Sequence, residues 1–149
     1  MFLIRTYFQK SALIGFLVCL ALSGQAQLYK TLIWNPDGKS YYQVEHAGIV
    51  QHKLPEGIGN IVLSWRQLTP AGKASPLQIR YFFFSPDFTK LLLYTNTRKV
   101  WRYDTRGDYW VYDLSDLTLR QLGAGLPPAS LMFAKFSPDG KKAAYVSGH

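Results

Sequence analysis

The sequence predicts an all-β fold, an incomplete β-propeller of about two and a half blades preceded by a signal peptide. Three observations carry that expectation. One turn template recurs at nearly equal spacing, the segments after each copy are apolar enough for strands packed between layers, and the intervening stretches are broken by proline and glycine.

The template is an aromatic residue, a small polar residue, Pro-Asp-Gly, lysine and then an apolar run. It occurs as Trp34-Asn35-Pro36-Asp37-Gly38-Lys39, Phe84-Ser85-Pro86-Asp87-Phe88-Thr89-Lys90 and Phe136-Ser137-Pro138-Asp139-Gly140-Lys141, so that the prolines stand at 36, 86 and 138. Proline presets φ at the first turn position, aspartate bonds back to the backbone at the second, and glycine takes the left-handed position that closes the hairpin. Each copy therefore joins two adjacent strands of a blade. Phe88 stands where glycine is expected, and because a bulky residue at positive φ is costly, the second turn is expected to differ from the others.

Taken in order, the chain opens with Arg5 and Lys10, an apolar run over residues 12–22, and the small residues Ser23, Gly24 and Ala26. That three-part layout predicts a signal peptide over residues 1–26, with Gln27 the first mature residue, and export to the periplasm or the extracellular space. The run is shorter than the roughly 20 apolar residues a membrane span needs. Cys19 is the single cysteine and falls in this segment, behind a Val18 too bulky for a lipid-attachment signal, so the mature part, residues 27–149, has no disulfide or thiolate metal site.

After the first template come a turn at Glu45-His46-Ala47-Gly48, a strand over residues 49–54, and a strand or crossover over residues 58–66. Residues 68–76, with Pro70, Gly72 and Pro76, read as a loop between blades, and residues 123–130, with Pro127 and Pro128, repeat that role. Between those loops lie three apolar strands, residues 81–84, 91–94 and 109–114, the first two apolar on both faces and expected to be buried on both. A ring needs further blades to cover its strand edges, and the chain is expected to be a fragment of a longer protein.

Hairpin turns in compact sheets run about 2 to 5 residues, and the connection over residues 96–108 is more than twice that length. It carries four cations, Arg98, Lys99, Arg102 and Arg106. If residues 100–103 are extended, Trp101 and Tyr103 point to one face, where they can pack into the blade, and Arg102 to the other, where its planar fork suits a carbonyl or carboxylate. Spacing alone equally allows a solvated Arg102, or one paired with Asp104 or Asp108.

Several chemistries are missing from these residues. There is no Gly-x-Ser-x-Gly nucleophile elbow, and Gly123-Ala124-Gly125 runs into Leu-Pro-Pro rather than a phosphate-binding helix start. His46, His52 and His149 lack partners at metal-ligand spacing and read as surface or strand residues. Residues 27–149 hold fifteen basic against nine acidic side chains, a net +6 scattered outside the arm, which is weak support for a nucleic-acid partner. No cofactor is expected.

The run Tyr94-Thr95-Asn96-Thr97-Arg98-Lys99-Val100-Trp101-Arg102-Tyr103-Asp104-Thr105-Arg106-Gly107-Asp108-Tyr109-Trp110-Val111-Tyr112-Asp113-Leu114 resembles the first blades of the dipeptidyl peptidase IV family of serine peptidases. The same holds for Ser130-Leu131-Met132-Phe133-Ala134-Lys135-Phe136-Ser137-Pro138-Asp139-Gly140 and for Leu68-Thr69-Pro70-Ala71-Gly72-Lys73, and the likeness is greatest to exported bacterial members. It covers most of the mature chain and is densest from Pro70 onward. The resemblance implies a propeller packed over an α/β-hydrolase domain, with substrate in the cavity between them, and release of N-terminal dipeptides with proline or alanine second. It implies that Arg102, which follows the arm's tryptophan, contacts a backbone carbonyl of the bound peptide, with Trp101 and Tyr103 supporting it. The glutamate pair that grips the free amino group and the Ser-Asp-His triad have no counterpart in this chain. Expected partners are thus a peptide substrate and a C-terminal α/β-hydrolase domain missing here, with a homodimer compatible and no nucleic acid. The competing expectation is a non-catalytic periplasmic propeller resembling the TolB type.

Overall fold

In the computed structural model, residues 32–100 and 102–148 are described, and they form ten strands and no helix. The first sheet is an antiparallel meander of β1 (Leu32–Trp34), β2 (Ser40–Glu45), β3 (Gly48–Lys53) and β4 (Ile58–Ser64). A second meander follows: β5 (Ile79–Phe84), β6 (Lys90–Val100), β7 (Tyr103–Asp113) and β8 (Thr118–Gln121). The hairpin of β9 (Leu131–Phe136) and β10 (Ala143–Ser147) joins that sheet through the pairing of Gly107 with Leu131. The described residues are thus two four-stranded propeller blades and the leading hairpin of a third. The expected signal peptide, residues 1–26, lies outside the described residues.

The three template copies close three equivalent hairpins. In each, the i+3 amide bonds back to the residue before proline: Gly38 to Asn35, Phe88 to Ser85 and Gly140 to Ser137, all at 2.9 Å. The aspartate accepts from the amide two residues on, in Asp37 to Lys39 (2.8 Å), Asp87 to Thr89 (3.2 Å) and Asp139 to Lys141 (3.0 Å). Hydroxyls reinforce the later two: Ser85 and Ser137 each donate to their aspartate at 2.6 Å. Those donors favour the charged carboxylate, and with the Ser85 hydroxyl foremost they lower the pKa of Asp87 to about 2.

Phe88 does not change the turn, contrary to the sequence expectation. It adopts φ 57°, beside 66° for Gly38 and 67° for Gly140. Its ring is half-buried, stacked on Phe84 at 4.8 Å, and Phe84 in turn packs on Tyr42 of the first blade at 4.6 Å. A left-handed L-residue costs about 1 to 2 kcal/mol. Partial burial of the ring and its aromatic pairing return a similar amount, so packing between blades holds a conformation that the local rule disfavours.

The core lies in two layers on either side of the second blade. Alternate residues of β6 face opposite ways: Leu91 and Leu93 join Tyr42, Ile49, Leu63 and Phe82 against the first blade. Leu92 and Tyr94 join Tyr109, Leu131 and Ala134 against the β9–β10 hairpin. Residues 91–94 are buried on both faces, as their sequence predicts. Residues 81–84 are not: Phe82 is buried, but Tyr81 and Phe83 are 37% and 50% exposed, because β9 and β10 reach only part of that face.

Strand alternation sorts the connections between two rims. The Pro-Asp turns share one rim, where Gly140 lies against Asp87. The β2–β3 and β6–β7 connections share the opposite one, where Glu45 and His46 border a common cleft with Asn96 and Thr97.

Candidate functional site

The long connection is not a loop. β6 and β7 continue past the blade as a paired hairpin, with Arg98 opposite Arg106, Lys99 opposite Asp104 and Val100 opposite Tyr103. Threonines at 95, 97 and 105 with Val100 and Tyr103 supply the β-branched and aromatic character that lets a polar segment stay extended. From Asn96 to Val100 the arm reaches roughly 15 Å from the rim at about 3.3 Å per residue.

Because Val100 pairs with Tyr103, Arg102 sits in the connection at the arm's tip rather than within an extended 100–103 segment. Arg98, Lys99 and Arg102 are exposed around it. Asp108 is not a partner of Arg102, because both of its oxygens are engaged elsewhere. The expected packing of Tyr103 into the blade is not found: it is 74% exposed, since a side chain at the tip is beyond reach of the sheet. Trp101 lies outside the described residues. The tip therefore offers a planar cation and a phenol to whatever approaches the rim.

The arm's root is rigid where its tip is open. Between the pairs Thr95–Asp108 and Arg98–Arg106, Asn96 and Thr97 stand against Gly107 alone, a bulge that bends the strand. A Cβ on Gly107 would run into the Tyr94 ring and stand 2.7 Å from the Thr95 carbonyl oxygen, so only glycine fits. The Tyr94 hydroxyl donates to the Arg106 carbonyl at 2.9 Å, and its ring stacks on Tyr109 at 4.6 Å. Burial raises the pKa of the Tyr109 phenol, which stays neutral beneath the root.

Beside the root, between the first and second blades, opens a cleft of about 1050 Å³ bordered by Glu45, Trp65, Lys73, Arg80, Asn96 and Asp108. Its border carries both signs of charge, suited to a zwitterionic or amide-rich ligand rather than a polyanion. Among the described residues no three imidazole, carboxylate or thiol groups converge as a metal site requires. His52 stacks on Tyr41 at 5.0 Å with its Nε2 2.7 Å from Glu45, and His46 is exposed in the β2–β3 turn. His149 lies outside the described residues.

Sequence reasoning singled out Arg102 and missed Asn96 and Asp108, which anchor the arm. Their signal was faint: an asparagine and a Gly-Asp pair mark the two points where apolar strand gives way to polar arm, which is turn chemistry displaced to a strand boundary.

Residues 85–149 match the family model described as the dipeptidyl peptidase IV (DPP IV) N-terminal region. A "Probable dipeptidyl-aminopeptidase B" of Aspergillus oryzae is 36% identical over 62 residues, which is 42% of this chain and 7% of that protein. One from Blastomyces gilchristii is 28% identical over 106 residues, 70% of this chain and 11% of that protein. The crystal structure of Porphyromonas gingivalis dipeptidyl peptidase 4 matches with a TM-score of 0.66 at 21% identity, covering 80% of this chain and 17% of that one. The propeller fold and the resemblance to the N-terminal region of the dipeptidyl peptidase IV family are borne out. The chain spans 7% to 11% of the length of these two curated relatives.

Proposed function

We infer that this chain, whose residues 85–149 match the family model of the dipeptidyl peptidase IV N-terminal region, is the substrate-gating and substrate-positioning propeller portion of an exported serine exopeptidase. The enzyme releases N-terminal dipeptides with proline or alanine second. The catalytic residues come from an α/β-hydrolase domain outside this chain, on the rim side toward which the arm points. One observation carries this: the pairing of Val100 with Tyr103 makes the arm a stiffened hairpin with Arg102 at its free end.

Arg102 then donates a charge-assisted hydrogen bond to a backbone carbonyl of the bound peptide. Holding the peptide in register with a nucleophile on another domain lowers the entropic part of the barrier without contributing to bond cleavage. Exposed Tyr103 supplies a flat face against the peptide beside the guanidinium, and Trp101 is its expected companion.

In the full-length protein, Arg102→Ala is expected to lower kcat/KM for a short X-Pro substrate about ten- to hundredfold, the scale of roughly 1.5 to 3 kcal/mol for a charged hydrogen bond. Unchanged steady-state kinetics would remove Arg102 from the site.

A further inference from the structure

The arm leaves the blade at one junction, and one carboxylate ties that junction to the entry of the next blade. At the bulge, Asn96 takes φ 45°, a conformation asparagine tolerates but that needs local support to persist. Asp108 supplies it: Oδ2 accepts from Asn96 Nδ2 at 2.8 Å. Its other oxygen, Oδ1, accepts from the Ala129 amide at 2.7 Å. Ala129, the second-last residue of the linker into β9, also has positive φ, 54°. One side chain thus ties the bent root of the arm to the strand entry of the next blade. Its own backbone is fixed as well, since the Thr95 hydroxyl donates to the Asp108 carbonyl at 3.3 Å and adjoining Gly107 pairs with Leu131. The blade body does not depend on this carboxylate, because residues 91–94 and Tyr109 are held by buried apolar contacts on both faces. What Asp108 constrains is the direction of the arm.

We propose that Asp108 is a positioning residue, whose carboxylate sets the angle at which the arm presents Arg102 to the peptide. The proposal rests on the arm being the peptide contact. A hairpin about 15 Å long magnifies a small rotation at its root, and displacement of a binding group by about 1 Å is enough to cost much of its effect.

The test uses the full-length protein with two independent readouts, amide hydrogen exchange in the arm and steady-state kinetics on a short X-Pro substrate. Asp108→Leu removes both acceptors. Exchange over residues 98–106 is expected to rise about tenfold with residues 91–94 unchanged, and KM to rise about five- to tenfold with kcat within about twofold. Asn96→Asp alone sets two carboxylates face to face and loosens the arm at least as far. Combined with Asp108→Asn it restores both readouts, because the new amide oxygen still accepts from Ala129 while the new NH₂ donates to the carboxylate at position 96. Unchanged exchange at residues 98–106 in Asp108→Leu, or a reciprocal exchange of side chains that fails to restore the arm, overturns the proposal. If Arg102→Ala is silent, the arm is not the peptide contact, and with it falls the claim that Asp108 positions Arg102. If Arg102→Ala is damaging while Asp108→Leu leaves exchange and KM unchanged, the clamp falls and the arm stands.

Discussion

The β2–β3 hairpin of the first blade and the β6–β7 hairpin of the second are the same unit with different tips. Lys90 corresponds to Ser40, Thr95 to Glu45, and the closing pair Thr95–Asp108 to Glu45–Gly48. In the first blade His46-Ala47 closes the hairpin at the rim, and the Trp65 indole holds that turn by donating to the His46 carbonyl at 2.7 Å. In the second, residues 96–107 occupy the same place and become the arm. Below the rim both hairpins pack into the shared core, while above it the second is polar, exposed and cationic. The blade thus gains a projection whose contacts with buried groups are confined to its root, at Arg106 and Gly107, and two substitutions and a deletion test how sharp that boundary is.

Leu93→Ala should have the largest effect. Leu93 has no exposed surface and belongs to the layer between the first and second blades, so its truncation removes buried methyl groups and leaves a void. The expected loss is about 2 to 5 kcal/mol in equilibrium denaturation, with kinetics per folded molecule unchanged. A loss under about 0.5 kcal/mol would mean the blades do not share a packed core.

Gly107→Ala strikes the boundary itself. The new methyl meets the Tyr94 ring, which cannot yield easily because it is stacked on Tyr109 and its hydroxyl is bonded to Arg106. About 1 to 3 kcal/mol of stability should be lost, the usual range for overpacking. Because the strain falls on the root, KM should rise in the same variant. A neutral substitution would show that the root is looser than its contacts imply.

What the sequence made legible follows the same boundary. The Pro-Asp template located three hairpins because its information is local: proline, aspartate and the residue after it set the turn with no help from distant parts of the chain. Phe88 was misjudged because the Phe84 ring on which it stacks is itself packed against Tyr42 of the first blade, and that packing cannot be read from a window of nine residues. The exposed sides of Tyr81 and Phe83 failed for a related reason, since an apolar strand does not specify which neighbour covers it. In the arm, charge and length pointed to Arg102. The pairing of residues 98–100 with 103–106 was hidden because two bulges break the two-residue alternation that marks a strand. Asp108 looked like a partner for Arg102, whereas its oxygens are turned to the root.

The smallest effect on stability, and the most direct test of the boundary, should come from deleting the arm. Removing residues 97–106 joins Asn96 to Gly107 between Thr95 and Asp108, and Asn-Gly is the pair that two-residue hairpins favour because both of its positions need positive φ. Asn96 already has φ 45°, and the Thr95–Asp108 pair that would close the new turn is already formed. The deletion costs the bond from the Tyr94 hydroxyl to Arg106 and the exposed pairs of the arm, each a small contribution in water. The melt should remain cooperative and shift by no more than about 1 kcal/mol in stability, while kcat/KM for a short X-Pro substrate falls at least as far as in Arg102→Ala. Loss of the cooperative transition would place the arm within the folding unit of the blade, and the likeness between the two hairpins would then end at their sequence offset.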